Sequence, residues 1–239
     1  MLSSQGITKH FGAFQVLRDV DFHVETGEAV GVVGPNGAGK TTLFGILAGA
    51  LAPSTGEVHF LRRDVTALDA ARRCRAGIAR THQVPRPFLD MTVFENVCVG
   101  SYHGAGVTRA RAHALAAEAL VNTGLIDHAN RPAAVLGLLD RKRLELARAL
   151  ATQPKVLLLD EIGGGLTEKE LEQLVALVMR LKGSGMTIVW IEHILHALLH
   201  VIDRLVCMNA GAVLAEGDPA AVMSDPTVRR AYLGGGGTE

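Results

Sequence analysis

Residues 29–47 constrain this chain more than any other stretch. Ala29–Val33 is a short, apolar, β-branched run, and 42–47 has helical character. Between them lies Gly34-Pro35-Asn36-Gly37-Ala38-Gly39-Lys40-Thr41, which fits GxxxxGK[ST]. A buried strand that feeds a glycine loop and then a helix is half of a parallel β-α-β unit. Glycines let backbone N–H groups converge on one point without Cβ obstruction. The helix N-terminus adds a favourable field for negative charge. The segment therefore predicts a phosphate cradle, with Lys40 reaching the outer phosphates and the Thr41 hydroxyl available to Mg²⁺.

The rest of the chain supplies the sheet this unit needs. Runs at 156–159, Thr187–Ile191 and 205–208 are too short for independent helices and read as further buried strands. Helical patterns lie between them. In 168–181, Leu171, Leu174, Val175, Leu177, Val178 and Leu181 share one face. Thr167 and Glu170 have capping-box spacing at its start, and Gly183 is expected to end it. The stretch 85–139 lacks a buried strand and carries Ala-rich helical sequence at 109–121, so it reads as a helical insertion. Half-alternating patterns in 1–30 and 55–66 predict a small flanking antiparallel sheet. The expected fold class is α/β: a parallel core, an antiparallel sub-domain and an inserted helical sub-domain in a single domain over 1–239. A glycine-rich tail from residue 234 is expected to be flexible.

Composition excludes several classes. The 239 residues are 48% hydrophobic, enough to build a core, so a disordered chain is excluded. Lys+Arg and Asp+Glu are both 24, so no basic field favours nucleic acid as the main partner. Three scattered cysteines suggest neither a disulfide framework nor a zinc knuckle. No apolar run approaches the roughly 20 residues needed to cross a bilayer, and the first ten residues have no apolar signal core. Membrane association is expected only through a partner.

A second acidic motif joins the loop. Residues 156–161 form a hydrophobic strand ending in Asp160-Glu161, about 120 residues after Lys40. A carboxylate at a strand's C-terminal edge beside a phosphate loop can hold a Mg²⁺ shell, which assigns Asp160. Strand neighbours alternate faces, so Glu161 is expected to point elsewhere and to polarise water as general base.

Gly-Pro-Asn-Gly-Ala-Gly-Lys-Thr-Thr (34–42) and Leu-Leu-Leu-Asp-Glu (157–161) together resemble the ATP-binding subunits of ABC transporters. The resemblance covers essentially the whole chain. It implies that Gly34, Pro35, Asn36, Gly37, Ala38, Gly39, Lys40, Thr41 and Thr42 hold ATP, with Mg²⁺ between Thr41, Gln83 and Asp160. It further implies that Gln83, in Ala-Arg-Thr-His-Gln, touches the metal and the lytic water and reports on the membrane subunit. His193, in Ile-Glu-His, resembles the switch histidine that contacts the γ-phosphate. Phe11, in Lys-His-Phe-Gly, resembles the aromatic that stacks on adenine. Glu161, His193 and Gln83 are then the catalytic set.

Residues 141–154, 188–193 and 225–234 narrow the likeness to importers of branched-chain amino acids or related small polar solutes, a group whose members also carry other amino acids, urea or amides. That implies transmembrane permease subunits docking through the segment after Gln83 and a second ATPase subunit. It also implies an indirect partner, a substrate-binding protein, and a place on the cytoplasmic face of the membrane. Two other readings compete: a soluble non-transport ATPase, and a dimer clamp with weak hydrolysis. Charge balance and the single short unit disfavour the first; retention of Glu161 and His193 disfavours the second.

One region departs from the family. Its Leu-Ser-Gly-Gly-Gln signature aligns with Leu136-Gly137-Leu138-Leu139-Asp140. The serine hydroxyl and the two small glycines are absent, and an acid stands near the phosphates unless Asp140 caps a helix starting at Arg141. In the family each ATP lies between one subunit's loop and the other's signature. This predicts an asymmetric dimer with an intact partner signature; the alternative is that backbone N–H groups suffice and both sites turn over. Ile162 stands where the family has proline, and Gly165-Leu166-Thr167 stands for Ala-Leu-Asp. Arg141, Lys142 and Arg143 read as a solvated helix face. His196 and His200 read as ordinary helix residues rather than metal ligands with His193, and His82 as a hydrogen-bonded loop residue. Pro85, Pro87, Phe88 and Phe94 suggest that 84–99 is a stiffened docking segment.

Overall fold

The computed structural model describes residues 1–233, so the expected tail from residue 234 lies outside the described residues. The chain opens with strands β1 (Leu2–Phe11), β2 (Phe14–Val24) and β3 (Ala29–Val33) and helix α1 (Lys40–Leu47). Strands β4 (Thr55–Phe60) and β5 (Arg63–Asp64), helix α2 (Ala70–Ala76) and strand β6 (Ile78–Arg80) follow. Then come helices α3 (Val93–Gly104), α4 (Arg109–Thr123) and α5 (Leu138–Leu150). The last third holds β7 (Val156–Asp160), α6 (Glu168–Gly183), β8 (Thr187–Ile191) and α7 (Leu195–Leu199). It closes with β9 (Arg204–Asn209), β10 (Ala212–Gly217), α8 (Pro219–Ser224) and α9 (Pro226–Leu233).

A six-stranded sheet has the order β10-β9-β3-β8-β7-β6, all parallel except β10. A second, antiparallel sheet has the order β2-β1-β4-β5. The strand period of two sends successive residues to opposite faces, and both faces are apolar because each is covered. Val30, Val32, Val156, Leu158, Val189 and Ile191 face α1 and the antiparallel sheet. Ala29, Val33, Leu157, Leu159, Ile188 and Trp190 face α6 and its neighbours. The inserted helices keep a third core around Val97, Ala116, Leu120 and Leu144. In α4 the buried residues Ala112, Leu115, Ala116, Ala119, Leu120 and Thr123 trace the helical period, and Gly124 closes it with φ 73°.

Several sequence expectations need correction. Helix α5 begins at Leu138 with Gly137 as its N-cap residue, so Asp140 sits inside the first turn and does not cap a helix at Arg141. Nor is 141–143 a solvated face. Lys142 is buried, Arg141 donates to the Leu136 and Ala134 carbonyls, and Arg143 binds Asp140 and Gln173. Helix α6 has the expected Thr167/Glu170 capping box, but it includes Gly183 and ends at Ser184 and Gly185. Strands β6 and β10 carried no readable pattern, the first being three residues long and the second only half-buried.

Candidate nucleotide site

Parallel pairing places the C-terminal ends of β3, β6, β7 and β8 along one edge of the sheet. That edge is where ligands bind in open α/β sheets. It collects the loop after Val33, Arg80 with the residues that follow it, the Asp160-Glu161 pair and the turn after Ile191.

The loop is shaped by its glycines. Gly34 has φ 148°, and a Cβ there would collide with the Met208 carbonyl oxygen. Gly39 has φ 99°, and a Cβ would lie 2.6 Å from Leu17 Cδ2. Gly39 is also the N-cap of α1 and offers no side-chain cap, so the helix presents free N–H groups to the loop. Lys40 Nζ donates to the Gly34 and Pro35 carbonyls at 2.7 and 3.1 Å. Burial lowers its pKa, and the nearby Glu161 and Asp160 carboxylates oppose that shift. Phe14, Val16, residues 36–42 and Glu161 line a groove of about 270 Å³ over this loop.

Glu161 is the centre of the acid set. Its Oε2 accepts from Gln83 Nε2 at 2.5 Å, and its Oε1 lies 2.7 Å from His193 Nε2. Strand alternation is not what aims it. Strand β7 ends at Asp160, and Glu161 takes φ 46°, a left-handed conformation that turns its side chain toward the groove. A proline at 162 would restrict its predecessor's backbone; Ile162 leaves Glu161 freer. Gln83, Glu161 and His193 are thus brought together as one constellation, with His193 on the carboxylate. Behind them lies an acid the sequence reading passed over. Glu192 is 2% exposed and accepts from the backbone N–H groups of Gly163 and His193, which fixes the turn carrying the histidine.

Asp160 is 3% exposed. Its Oδ2 accepts from Arg80 Nη2 at 2.6 Å, its backbone N–H donates to Thr81 Oγ1, and its Oδ1 is buried without a partner. An orphaned carboxylate oxygen at this edge, with the exposed Thr41 hydroxyl across the loop, is the oxygen chemistry a hard cation takes. These residues fit Mg²⁺.

Phe11 departs from expectation. It is 49% exposed, sits under the Lys9 ammonium at 5.1 Å, and does not line the groove. Its cross-strand partner Phe14, 71% exposed, does. A hairpin turn with an aromatic on each side gave no sequence signal to separate them.

Gln83 also marks the border with the inserted helices. His82 Nδ1 lies 2.8 Å from Glu145 of α5, and Glu145 also accepts from Arg148. Arg148 reaches the Arg86 carbonyl and lies over the Phe88 ring at 5.0 Å. A groove of about 270 Å³ runs along this border between Cys74, Arg80, His82, Val99, Glu145 and Arg148. In the segment that follows Gln83, Val84, Phe88, Leu89 and Met91 are exposed.

The geometry is that of a P-loop nucleoside triphosphatase with an inserted helical sub-domain. The ABC transporter family pattern matches residues 17–163, and the pattern described as branched-chain amino acid ATP-binding cassette transporter matches 212–238. The chain belongs to the ATP-binding subunits of ABC transporters and is an ATPase. It is 38% identical to the high-affinity branched-chain amino acid transport ATP-binding protein LivG of Escherichia coli K12, over 98% of each chain. It is 34% identical to the corresponding protein BraF of Pseudomonas aeruginosa, again over 98% of each. A solved ATP-binding cassette in its ADP conformation matches with TM-score 0.88 and 33% identity, over 98% of both chains. A dimeric cassette in a post-hydrolysis state with ADP and Pi matches at TM-score 0.79 and 26% identity, over 92% of this chain and 99% of that one. No helix among the described residues is long and apolar enough to cross a membrane.

Proposed function

We propose that this chain hydrolyses MgATP to power import of branched-chain amino acids, working at the cytoplasmic face of the membrane beneath permease subunits. One observation carries the mechanism: the Glu161 carboxylate, held from both sides by Gln83 and His193, borders the groove over Lys40. ATP would place its phosphates on the loop N–H groups, and Lys40 would exchange the Gly34 and Pro35 carbonyls for phosphate oxygens. Thr41 and Asp160 would hold Mg²⁺, with Gln83 beside them; the ion neutralises charge developing on the transferred phosphoryl group. Glu161 takes the proton of the attacking water, while His193 and Gln83 keep the carboxylate aimed. Phe14, on the groove wall, is the aromatic placed to meet the base.

The cargo follows from LivG and BraF and from the match at 212–238. Docking of the permease is supported by the border groove and by the exposed apolar residues Val84, Phe88, Leu89 and Met91 in the segment after Gln83, of which Phe88 lies against Arg148 of the groove. The test is reconstitution of the complex with its permease and substrate-binding protein in vesicles. ATP-dependent uptake of leucine, isoleucine or valine is expected. Uptake of an unrelated solute alone would overturn the cargo.

The structure of the signature region favours an asymmetric dimer over two equal sites. Leu138 is exposed where the family carries glycine, and Leu139 is packed into the core. Asp140 is tied to Arg143 at 3.2 Å and lies 3.5 Å from His128. Leu138, Leu139 and Asp140 offer no hydroxyl to a γ-phosphate, and their side chains stand where glycine would leave the backbone bare; Gly137, the helix N-cap, keeps an open backbone. A homologous partner subunit would bring the signature that completes the site on Lys40 and Glu161. Strong cooperative ATPase from the purified chain as a homodimer would count against this.

A further inference from the structure

Four consecutive residues tie both acids to the border groove. Arg80 binds the Asp160 carboxylate, Thr81 accepts from the Asp160 backbone, His82 binds Glu145, and Gln83 binds Glu161. The first of these links is only half made. Arg80 and Asp160 side chains are 18% and 4% exposed and meet through a single 2.6 Å contact. Arg80 Nε and Asp160 Oδ1 are both buried without partners. A bidentate fork would satisfy both atoms. Orphaned atoms on both sides of a buried ion pair are costly, so a second state in which another group takes Oδ1 would relieve them.

We propose that Arg80 is the resting counter-ion of Asp160, a positioning residue that holds Oδ1 open yet weakens the site for Mg²⁺, and that occupation of the border groove withdraws it. The inference rests on the reading of Asp160 as the metal-side carboxylate. A guanidinium on Asp160 means that an arriving cation meets a neutral pair rather than a bare carboxylate, and is repelled by the Arg80 charge. Arg80 also lines the groove in which a permease segment would dock. Movement of that wall therefore reaches the metal side through Arg80, and the water side through Gln83.

The test is an Mg²⁺ titration of fluorescent ATP-analogue binding to the purified full chain. Arg80→Met keeps an apolar stem and removes the charge. It should lower the Mg²⁺ concentration for half-maximal binding by about tenfold, whereas Arg80→Lys should stay near wild type. Mg²⁺ should also raise the melting temperature more for Arg80→Met than for wild type, because the ion replaces the lost counter-charge. In the reconstituted transporter, wild type should move toward the Arg80→Met value, and the variant should not move further. An unchanged or raised half-saturation for a folded Arg80→Met would overturn the inference while leaving the ATPase reading intact. Should Arg80→Met not fold, an Arg80→Lys shifted as far as a charge deletion, or a wild type unmoved by assembly, overturns it. A wild type indifferent to Mg²⁺ would instead sink the reading of Asp160, and the inference with it.

Discussion

The loop side and the signature side of this chain have been built to different standards. Residues 36–42 and Glu161 line one groove, with Gln83 and His193 on the Glu161 carboxylate and the buried Asp160 next to it in the chain. Positions 137–140 form a helix start with one leucine in the core, one in solvent and an acid neutralised by its own neighbours. Both are helix N-termini, and both could serve an anion on that ground alone. On the proposed reading, the macrodipole alone does not make a triphosphate site. The loop adds glycine backbone, a buried lysine and a neighbouring carboxylate; the signature side keeps Gly137 open but follows it with two leucines and an acid. If a dimer can work with one complete composite site, the two halves of each subunit are free to diverge.

The largest test removes the chemistry from the better side. Glu161→Gln keeps the shape and the hydrogen bond to Gln83 but cannot take a proton. Turnover should fall by about 10²–10⁴-fold with ATP binding retained. Rapid phosphate release from that variant in a single-turnover assay would remove Glu161 from the role of base, and with it the contrast between the two sides.

The second test repairs the poorer side. Gly137→Ser combined with Leu138→Gly, Leu139→Gly and Asp140→Gln restores a hydroxyl and two open backbone positions. An oxyanion-type donor is worth about 10²–10³ in rate, so ATPase of the chain alone should rise by about 10²-fold. The Leu139 change opens part of the core, so a circular-dichroism melt must accompany it. A folded variant with unchanged turnover would show that the signature region is not what limits the isolated chain.

The loop side was largely legible in sequence because its chemistry is local. Gly34 to Thr42 are contiguous, and each glycine answers to a steric demand within a few residues. Asp160 and Glu161 were legible as acids, but the φ of 46° that aims Glu161 was not, since a turn after a strand leaves no periodic mark. Arg80, Glu145 and Glu192 were invisible as site residues for another reason. Their meaning lies in partners up to 80 positions away. The basic run 141–143 misled because buried lysine and carbonyl-bound arginine look like solvated charge until tertiary contacts are known. Phe11 and Phe14 look alike in sequence because both flank the same turn, and only the groove separates them.

Between the two sides runs the His82–Glu145 link, which ties the segment before Gln83 to α5. Burial alone would push the Glu145 pKa up; the His82 hydrogen bond and the Arg148 charge outweigh it and hold the group below the ordinary glutamate value of 4.5. A carboxyl whose folded pKa is depressed adds stability above its unfolded pKa and loses it as pH falls through the folded one. Glu145→Gln should therefore cost about 1.5–3 kcal/mol at neutral pH. The gap to wild type should close as pH drops below 4.5. A gap that stays constant across acid denaturation curves would mean that packing, not charge, joins α5 to the strand edge.

The smallest effect lies within the loop side itself, at the two aromatics of the first hairpin. They are cross-strand partners, but only Phe14 lines the groove; Phe11 is engaged by Lys9. A base stacked on an aromatic is worth about 1–3 kcal/mol when the ring is truncated, and the 71% exposure of Phe14 puts it at the low end. Phe14→Ala should weaken ATP binding by about fivefold, at roughly 1 kcal/mol, while Phe11→Ala should leave it nearly unchanged. The reverse ranking in a direct binding titration would mean that the hairpin rotates when nucleotide arrives, so that the groove seen without it is not the one that holds the base.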